Sequence, residues 1–178
     1  MDLQPTLSGQ TLRLIPLDAS HKDDLIRAAS DPLIWQLHPE PTRYLPEVFT
    51  KVFASGLQSG GAFLITDKHS GEVLGTTRFY EFNPQQSSVA IGYTFLVRSR
   101  WGGSSNSELK RIMLDHAFLS VDTVWFHVGE HNLRSRRAVE KLGARYSHLE
   151  NESPTGAVRN TVFYRLDKAV WLTNNLLQ

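Results

Sequence analysis

The chain has 178 residues, with 19 lysines and arginines against 18 aspartates and glutamates, a formal net charge of +1, 40% hydrophobic and 21% charged side chains, and no cysteine. That near-neutral balance gives no global electrostatic reason to bind nucleic acid or an anionic membrane, and no apolar run reaches the ~18 residues of a spanning helix. The missing cysteine excludes disulfides, thiolate metal sites and a thiol nucleophile. The N-terminal MDLQPTLSGQTLRL lacks a charged-then-apolar signal pattern, so the expectation is a cytoplasmic protein folding as a single domain over residues 1–178.

Gln10 to Leu17 alternates as a first strand, and Ser20 to Ala29 has helical spacing through Leu25, Ile26 and Ala29. Prolines punctuate Pro39 to Pro46 as a loop. Pro46 to Leu57 carries a helical stripe, Val48, Phe49, Val52, Phe53 and Leu57, ended by Gly60-Gly61. Ala62 to Thr66 and Val73 to Phe82 read as strands joined by a hairpin turn, DKHSGE, and Ser88 to Val97 as a third strand after a polar turn. Ser105 to Leu119 is a helix whose Ser105-x-x-Glu108 spacing fits a capping box. Thr123 to Val128 is a strand, and Asn132 to Leu142 a helix stopped by Gly143. Ala144 to Leu149 and Val158 to Leu166 are strands around ESPTG, and Asp167 to Leu177 a terminal helix. The order describes a mixed α/β (α+β) domain, in which an antiparallel meander feeds a βαβα unit.

Two segments carry chemistry. Between a strand and a helix lies Arg98-Ser-Arg100-Trp101-Gly102-Gly103-Ser104-Ser105-Asn106. Adjacent glycines let the backbone approach a ligand, and the next helix presents unpaired N–H groups and the positive end of its dipole. A diphosphate suits that turn, and Arg98 and Arg100 offer charge-assisted contacts. A plain tight turn with a capped helix is the competing reading. The turn matches neither G-x-G-x-x-G nor the lysine-bearing P-loop. The second segment opens at Asn132, a natural N-cap. It places Ser135, Ala138, Val139 and Leu142 on one face and Arg134, Arg137 and Lys141 on another.

His127-Val-Gly-Glu130-His131 matches H-x-x-E-H, an inverted zinc-protease pattern. That chemistry needs both histidines on one helix face toward a single metal. TVWFHV reads as a strand and Gly129 breaks the pattern before Glu130, so no metal site is expected.

The ordered set of segments resembles the GNAT superfamily of acyl-CoA N-acyltransferases, and within it the ribosomal-protein N-terminal acetyltransferase (Rim-like) branch. The likeness runs from LSGQTLRLIPLDASHKDDLIRAASD through VLGTTRFYEF, SVAIGYTFLV and RSRWGGSSNSELKRIMLDHAF to the Asn132…Ser135…Glu140-Lys141-Leu142-Gly143 helix. It implies the GNAT fold, a mostly antiparallel sheet of about seven strands flanked by helices. It also implies acetyl-CoA (coenzyme A) as cofactor. The pantetheine arm would lie against Tyr93, Phe95, Leu96 and Val97. The pyrophosphate would sit in the turn from Arg98 through Arg100, Trp101, Gly102, Gly103, Ser104 and Ser105 to Asn106. Asn132 and Ser135 would meet the arm, and Arg136 and Arg137 the 3′-phosphate. A homodimer is compatible with this branch.

Three positions depart from the family pattern. Ser104 stands where the second glycine is usual. Val139 replaces a tyrosine that often protonates the leaving thiolate, and Ala90 replaces a glutamate before Ile-Gly-Tyr. The chemistry tolerates this, because a thioester is already activated. The protein must hold an amine in attack geometry, bind the oxyanion through main-chain N–H near Phe95 to Val97, and remove a proton. A water at Glu81, Tyr93 or His127 is a route for that proton, and Ser135 a proton donor to the thiolate. Without cysteine, direct transfer in a ternary complex is expected. Trp35, His38, Glu40 and Tyr44 fall where the family borders its acceptor groove, an aromatic and carboxylate set suited to a cationic amine. The acceptor is a protein N-terminus or, alternatively, a small-molecule amine, amino acid or antibiotic. A non-catalytic acyl-CoA-binding module is the reading from another class.

Overall fold

The computed structural model describes residues 1–152 and 159–176. Its strands are β1 (Leu7–Ser8), β2 (Leu12–Pro16), β3 (Ala62–Asp67), β4 (Val73–Asn83), β5 (Ser88–Leu96), β6 (Thr123–Gly129), β7 (Arg145–Glu152) and β8 (Arg159–Asp167). The helices are α1 (Lys22–Ala29), α2 (Pro46–Gln58), α3 (Ser105–Ala117), α4 (Leu133–Lys141) and α5 (Lys168–Leu176). The expected elements form among the described residues; Val158 and Leu177, the outer ends of two of them, lie outside those residues. Among the described residues the sheet has eight strands, in keeping with the expected seven or so; the additional one is the two-residue β1, too short to show periodicity, which pairs with β2. Most of the ESPTG connector lies outside the described residues.

The strand order is β1-β2-β3-β4-β5-β6-β8-β7. All neighbours are antiparallel except β5 and β6. The apolar run of β3 shows why both faces are covered. Phe63 and Ile65 enter one core with Leu109, Met113 and Ala117 of α3, while Ala62 and Leu64 enter another with Leu25 of α1 and Phe49 and Phe53 of α2. Pro46 starts α2 at its first turn, and Phe49, Phe53 and Gly56 then repeat on its buried face.

The functional geometry arises at β5 and β6. Their parallel pairing is confined to Ser88–Ala90 against Thr123–Trp125. Beyond it each strand continues with its other neighbour, β5 along β4 to the Leu96–Gly75 pair and β6 along β8 to the Gly129–Thr161 pair. The two strands therefore diverge and leave a wedge in the sheet. A bulge sharpens the divergence, since Tyr93 and Thr94 stand opposite Thr77 alone. Tyr93 adopts φ 51° there, and the Arg78 guanidinium packs 4.0 Å from its ring centroid.

One local expectation fails. Ser104 precedes α3 in the capping position, yet it makes no side-chain cap bond. Glu108 does not reach back either. Its carboxylate accepts from Thr11 N at 2.7 Å, Thr11 Oγ1 at 2.5 Å and Leu12 N at 3.1 Å. Three donors at the start of β2 outcompete one amide of its own helix.

Candidate active site

The wedge opens into a cleft of about 2440 Å³, beyond the usual ~300–1,000 Å³ of a small-ligand pocket and roomy enough for two reactants. At one side stands the turn after β5. Arg98–Arg100 form a 3-10 turn, Gly102 adopts φ 73°, and α3 begins. The first bond from α3 back to the turn is Glu108 N to Ser104 O, so the amides of Ser105, Asn106 and Ser107 have no helical acceptor. Glu108 is turned away to Thr11, so its carboxylate does not occupy the helix start. Burial acts to raise the Glu108 pKa, but hydrogen bonds from Thr11 and Leu12 outweigh it and hold the group below the usual glutamate range. A Cβ on Gly102 or Gly103 would meet nothing within 4 Å, so the turn faces open space. Backbone amides at a helix start, facing open space, are able to receive an anion.

The two arginines of the turn are already paired. Arg98 Nε donates to Asp31 Oδ2 at 2.5 Å, and Arg100 Nη2 to Asp67 Oδ2 at 2.7 Å. Asp67 is held well below the ordinary aspartate range by the Ser70 and His69 amides, with Arg100 adding to them. These pairs fasten the turn to the loop after α1 and to the β3–β4 hairpin.

Strand alternation aims the main chain of β5 at the cleft. Val97 N donates to Leu74 O on β4, so Leu96 points the other way, and its carbonyl accepts the Trp101 indole N–H at 2.9 Å. On the opposite side, Asn132 caps α4, its Oδ1 accepting from Ser135 N at 3.2 Å, and it is buried.

The cleft wall takes in Phe95, Leu96, Arg100, Trp101, Gly102, Gly103, Ser104, Asn106, Asn132, Ser135 and Arg137, together with Glu81, Tyr93, His127 and Trp35. Val97, Arg98, Ser105, Arg136, Glu40 and Tyr44 lie off it among the described residues. Arg136 is directed instead to Tyr164 Oη at 2.9 Å and Glu130 O at 3.0 Å. Glu40 accepts from Arg43 Nε at 3.1 Å. Trp35 donates from its buried indole to Ala29 O at 2.8 Å and packs on Phe49 and Phe95, so it anchors its loop. Glu81 and His127, apart in sequence, meet: Glu81 Oε2 lies 3.8 Å from His127 Nε2, and Tyr80 packs edge-on to both His127 and Tyr93. His127 lies on β6, while His131 is almost fully exposed beyond the strand's end. Among the described residues no three histidines, aspartates or glutamates cluster as a metal site. No helix among them is long and apolar enough to cross a membrane.

A family profile described as an acetyltransferase (GNAT) domain matches residues 11–145, the stretch that builds the turn, the wedge and α4. The chain belongs to the GNAT acetyltransferase family. A GNAT acetyltransferase takes its acyl group from acetyl-CoA, and the residues present fit that molecule, with free amides for its diphosphate and a strand edge for its arm. Solved structures agree on the fold. A putative acetyltransferase from T. thermophilus is 28% identical with a TM-score of 0.78, covering 94% of this chain and 92% of that one. A GCN5-related N-acetyltransferase from Brucella melitensis is 22% identical with a TM-score of 0.80, covering 95% and 81%. RimL, a ribosomal alpha-N-protein acetyltransferase in complex with coenzyme A, is 18% identical with a TM-score of 0.72, covering 92% and 98%. A search of curated proteins found no significant match.

Two cleft residues of this GNAT chain were not anticipated from sequence. Lys110 of α3 and Arg134 of α4 both line the wall. The available signal for Lys110 was its place beside Leu109 and next to the apolar stripe of α3, where a lysine is out of pattern.

Proposed function

We propose that this chain is an N-acetyltransferase that moves the acetyl group of acetyl-CoA directly to a primary amine within a ternary complex, with a protein N-terminus as the acceptor. The observation that carries the reading is the unpaired amide cluster at Ser105–Ser107, set at the mouth of the β5–β6 wedge. Amides at a helix start bind a diphosphate, and the divergent strands leave room for an extended arm beside β5. The name of the RimL relative supports the choice of acceptor.

Each residue then has a task. The amides of the turn hold the diphosphate, and Arg137, whose side chain lines the cleft, supplies positive charge for a further phosphate. Leu96 presents its main chain to the arm. Of the main-chain N–H groups in Phe95–Val97, that of Val97 is spent on Leu74 O, and the Leu96 N–H, turned away from β4, stabilises charge on the carbonyl oxygen. Asn132 and Ser135 line the arm from α4. Glu81 and His127, held 3.8 Å apart, accept the amine proton through a water. Bound acetyl-CoA supplies the activated acyl group; the protein supplies proximity and orientation.

The test is turnover. Purified protein with acetyl-CoA and a panel of N-terminal peptides, amino acids and small amines should release thiol and yield acetylated peptide by mass spectrometry. Tight acetyl-CoA binding with no turnover on any acceptor would overturn the reading in favour of a binding module.

A further inference from the structure

Lys110 places an ammonium inside the wedge. Its Nζ donates to Thr94 Oγ1 of β5 at 3.0 Å and lies 5.8 Å from the centroid of the Phe126 ring of β6. These are the two strands that part company after Ala90 and Trp125, so the charge sits where the sheet opens. The residue is only 6% exposed yet lines the cleft.

Nothing around it bears a compensating charge. From β5 it meets the Thr94 hydroxyl, which lies 2.8 Å from Thr77 Oγ1 of β4. From β6 it meets Phe126, and the Thr77 hydroxyl in turn rests on the Met113 sulfur of α3. No carboxylate pairs with Lys110 among the described residues, and burial alone pulls its pKa down to about 8. An ammonium has three N–H donors, and Thr94 takes one. A buried cation without a counter-charge is costly, and methionine would fill the same space without that penalty. An anion arriving in the cleft accounts for it.

The position says which anion. Lys110 stands one helical turn beyond Ser107 on α3, and its Nζ reaches inward to Thr94, on the β5 bulge two residues before Leu96, so the ammonium lies deeper along β5 than the amides of the turn. At that depth the negative charge is the one made by the reaction. Resting on the acetyltransferase reading, we propose that the Lys110 ammonium stabilises and then protonates the sulfur that leaves the thioester. It would act in place of the tyrosine that Val139 replaces.

The step balances. The amine nitrogen forms its bond to the acyl carbon, and the C–S bond breaks with its electron pair going to sulfur. Lys110 Nζ gives that sulfur a proton, producing the free thiol. The proton lost by the amine leaves through the water at Glu81 and His127. Lys110 then regains one from solvent as products depart.

The experiment compares wild type, Lys110→Met, Lys110→Arg and Thr94→Val. Acetyl-CoA affinity is read by calorimetry, single-turnover rate by thiol release, and thiol ionisation by the affinity for coenzyme A relative to its desulfo analogue between pH 6 and 9. Lys110→Met should bind acetyl-CoA within about threefold of wild type yet transfer about 100-fold more slowly. Its preference for coenzyme A over the desulfo analogue should no longer rise with pH. Lys110→Arg should keep that preference and recover only part of the rate. Thr94→Val, which frees the ammonium from its anchor, should fall between. A wild-type rate and an unchanged thiol preference in Lys110→Met would overturn the proposal and leave the acetyltransferase reading standing. Failure of wild type to bind acetyl-CoA would overturn both.

Discussion

The Arg134 guanidinium lies 3.9 Å from the centroid of the Trp101 ring, joining the start of α4 to the turn after β5 across the cleft. Both partners have second anchors. Trp101 donates to Leu96 O at 2.9 Å and Arg134 to Ile34 O at 3.2 Å. Three segments distant in sequence are thus tied at one stack.

That stack should be measurable as a coupling. Trp101→Ala removes a cation–π contact and an indole hydrogen bond, each worth about 1 kcal/mol. Urea unfolding of Trp101→Ala, Arg134→Ala and the double variant should give a coupling of about 1 kcal/mol. Additive losses would mean the ring and the guanidinium do not act together.

Gly102 and Gly103 should separate under substitution. Gly103 has an ordinary φ and open space beyond it, whereas Gly102 sits at φ 73°. Gly103→Val should change stability by less than about 0.5 kcal/mol while weakening acetyl-CoA binding at least tenfold, because the branched side chain enters the space proposed for the diphosphate. Gly102→Val should lose stability as well, by about 1 kcal/mol. Calorimetry for binding and thermal unfolding for stability distinguish the two.

Asn132 has two tasks, the α4 cap and the cleft wall. Asn132→Ala should cost about 1 kcal/mol from the cap and also weaken acetyl-CoA binding. Asn132→Asp keeps an acceptor for Ser135 N, so it should hold stability near wild type while still binding acetyl-CoA less tightly, since its charge opposes a polyanion. Thermal unfolding and calorimetry on the two variants check both halves.

Lys110 makes stability depend on pH in a defined direction. Its pKa is about 8 folded against 10.5 unfolded, so between those values the unfolded chain holds more protons and stability rises with pH. Below pH 8 the folded protein carries the whole penalty, about 3 kcal/mol. Lys110→Met should therefore be more stable than wild type at pH 7 by about that amount, with the gap closing as pH passes 10. A gap that is flat with pH would show that the ammonium is not desolvated.

Other features of the site differ in how far local pattern exposes them. The turn from Trp101 to Asn106 was legible because its chemistry is local: a glycine at positive φ and free amides follow from where a helix begins. The Asn132 cap was legible for the same reason, as its partner is three residues away. Glu108 also had a local partner available, but Thr11 and Leu12, nearly a hundred residues distant, took its carboxylate instead. Arg98 and Arg100 looked free for phosphate in the sequence. Asp31 and Asp67 reach them only when the loop after α1 and the β3–β4 hairpin fold beside the turn.

The sequence by itself determined the elements, their order, and the glycine turn with free amides after β5, because hydrophobic period, caps and glycines act over a few residues. Only the tertiary structure decided the wedge between β5 and β6, the meeting of Glu81 with His127, and the burial of the Lys110 ammonium between Thr94 and Phe126. Those depend on how far two parallel strands stay paired and on which side chains a neighbouring helix delivers into the gap. Such long-range geometry has no periodicity along the chain to announce it.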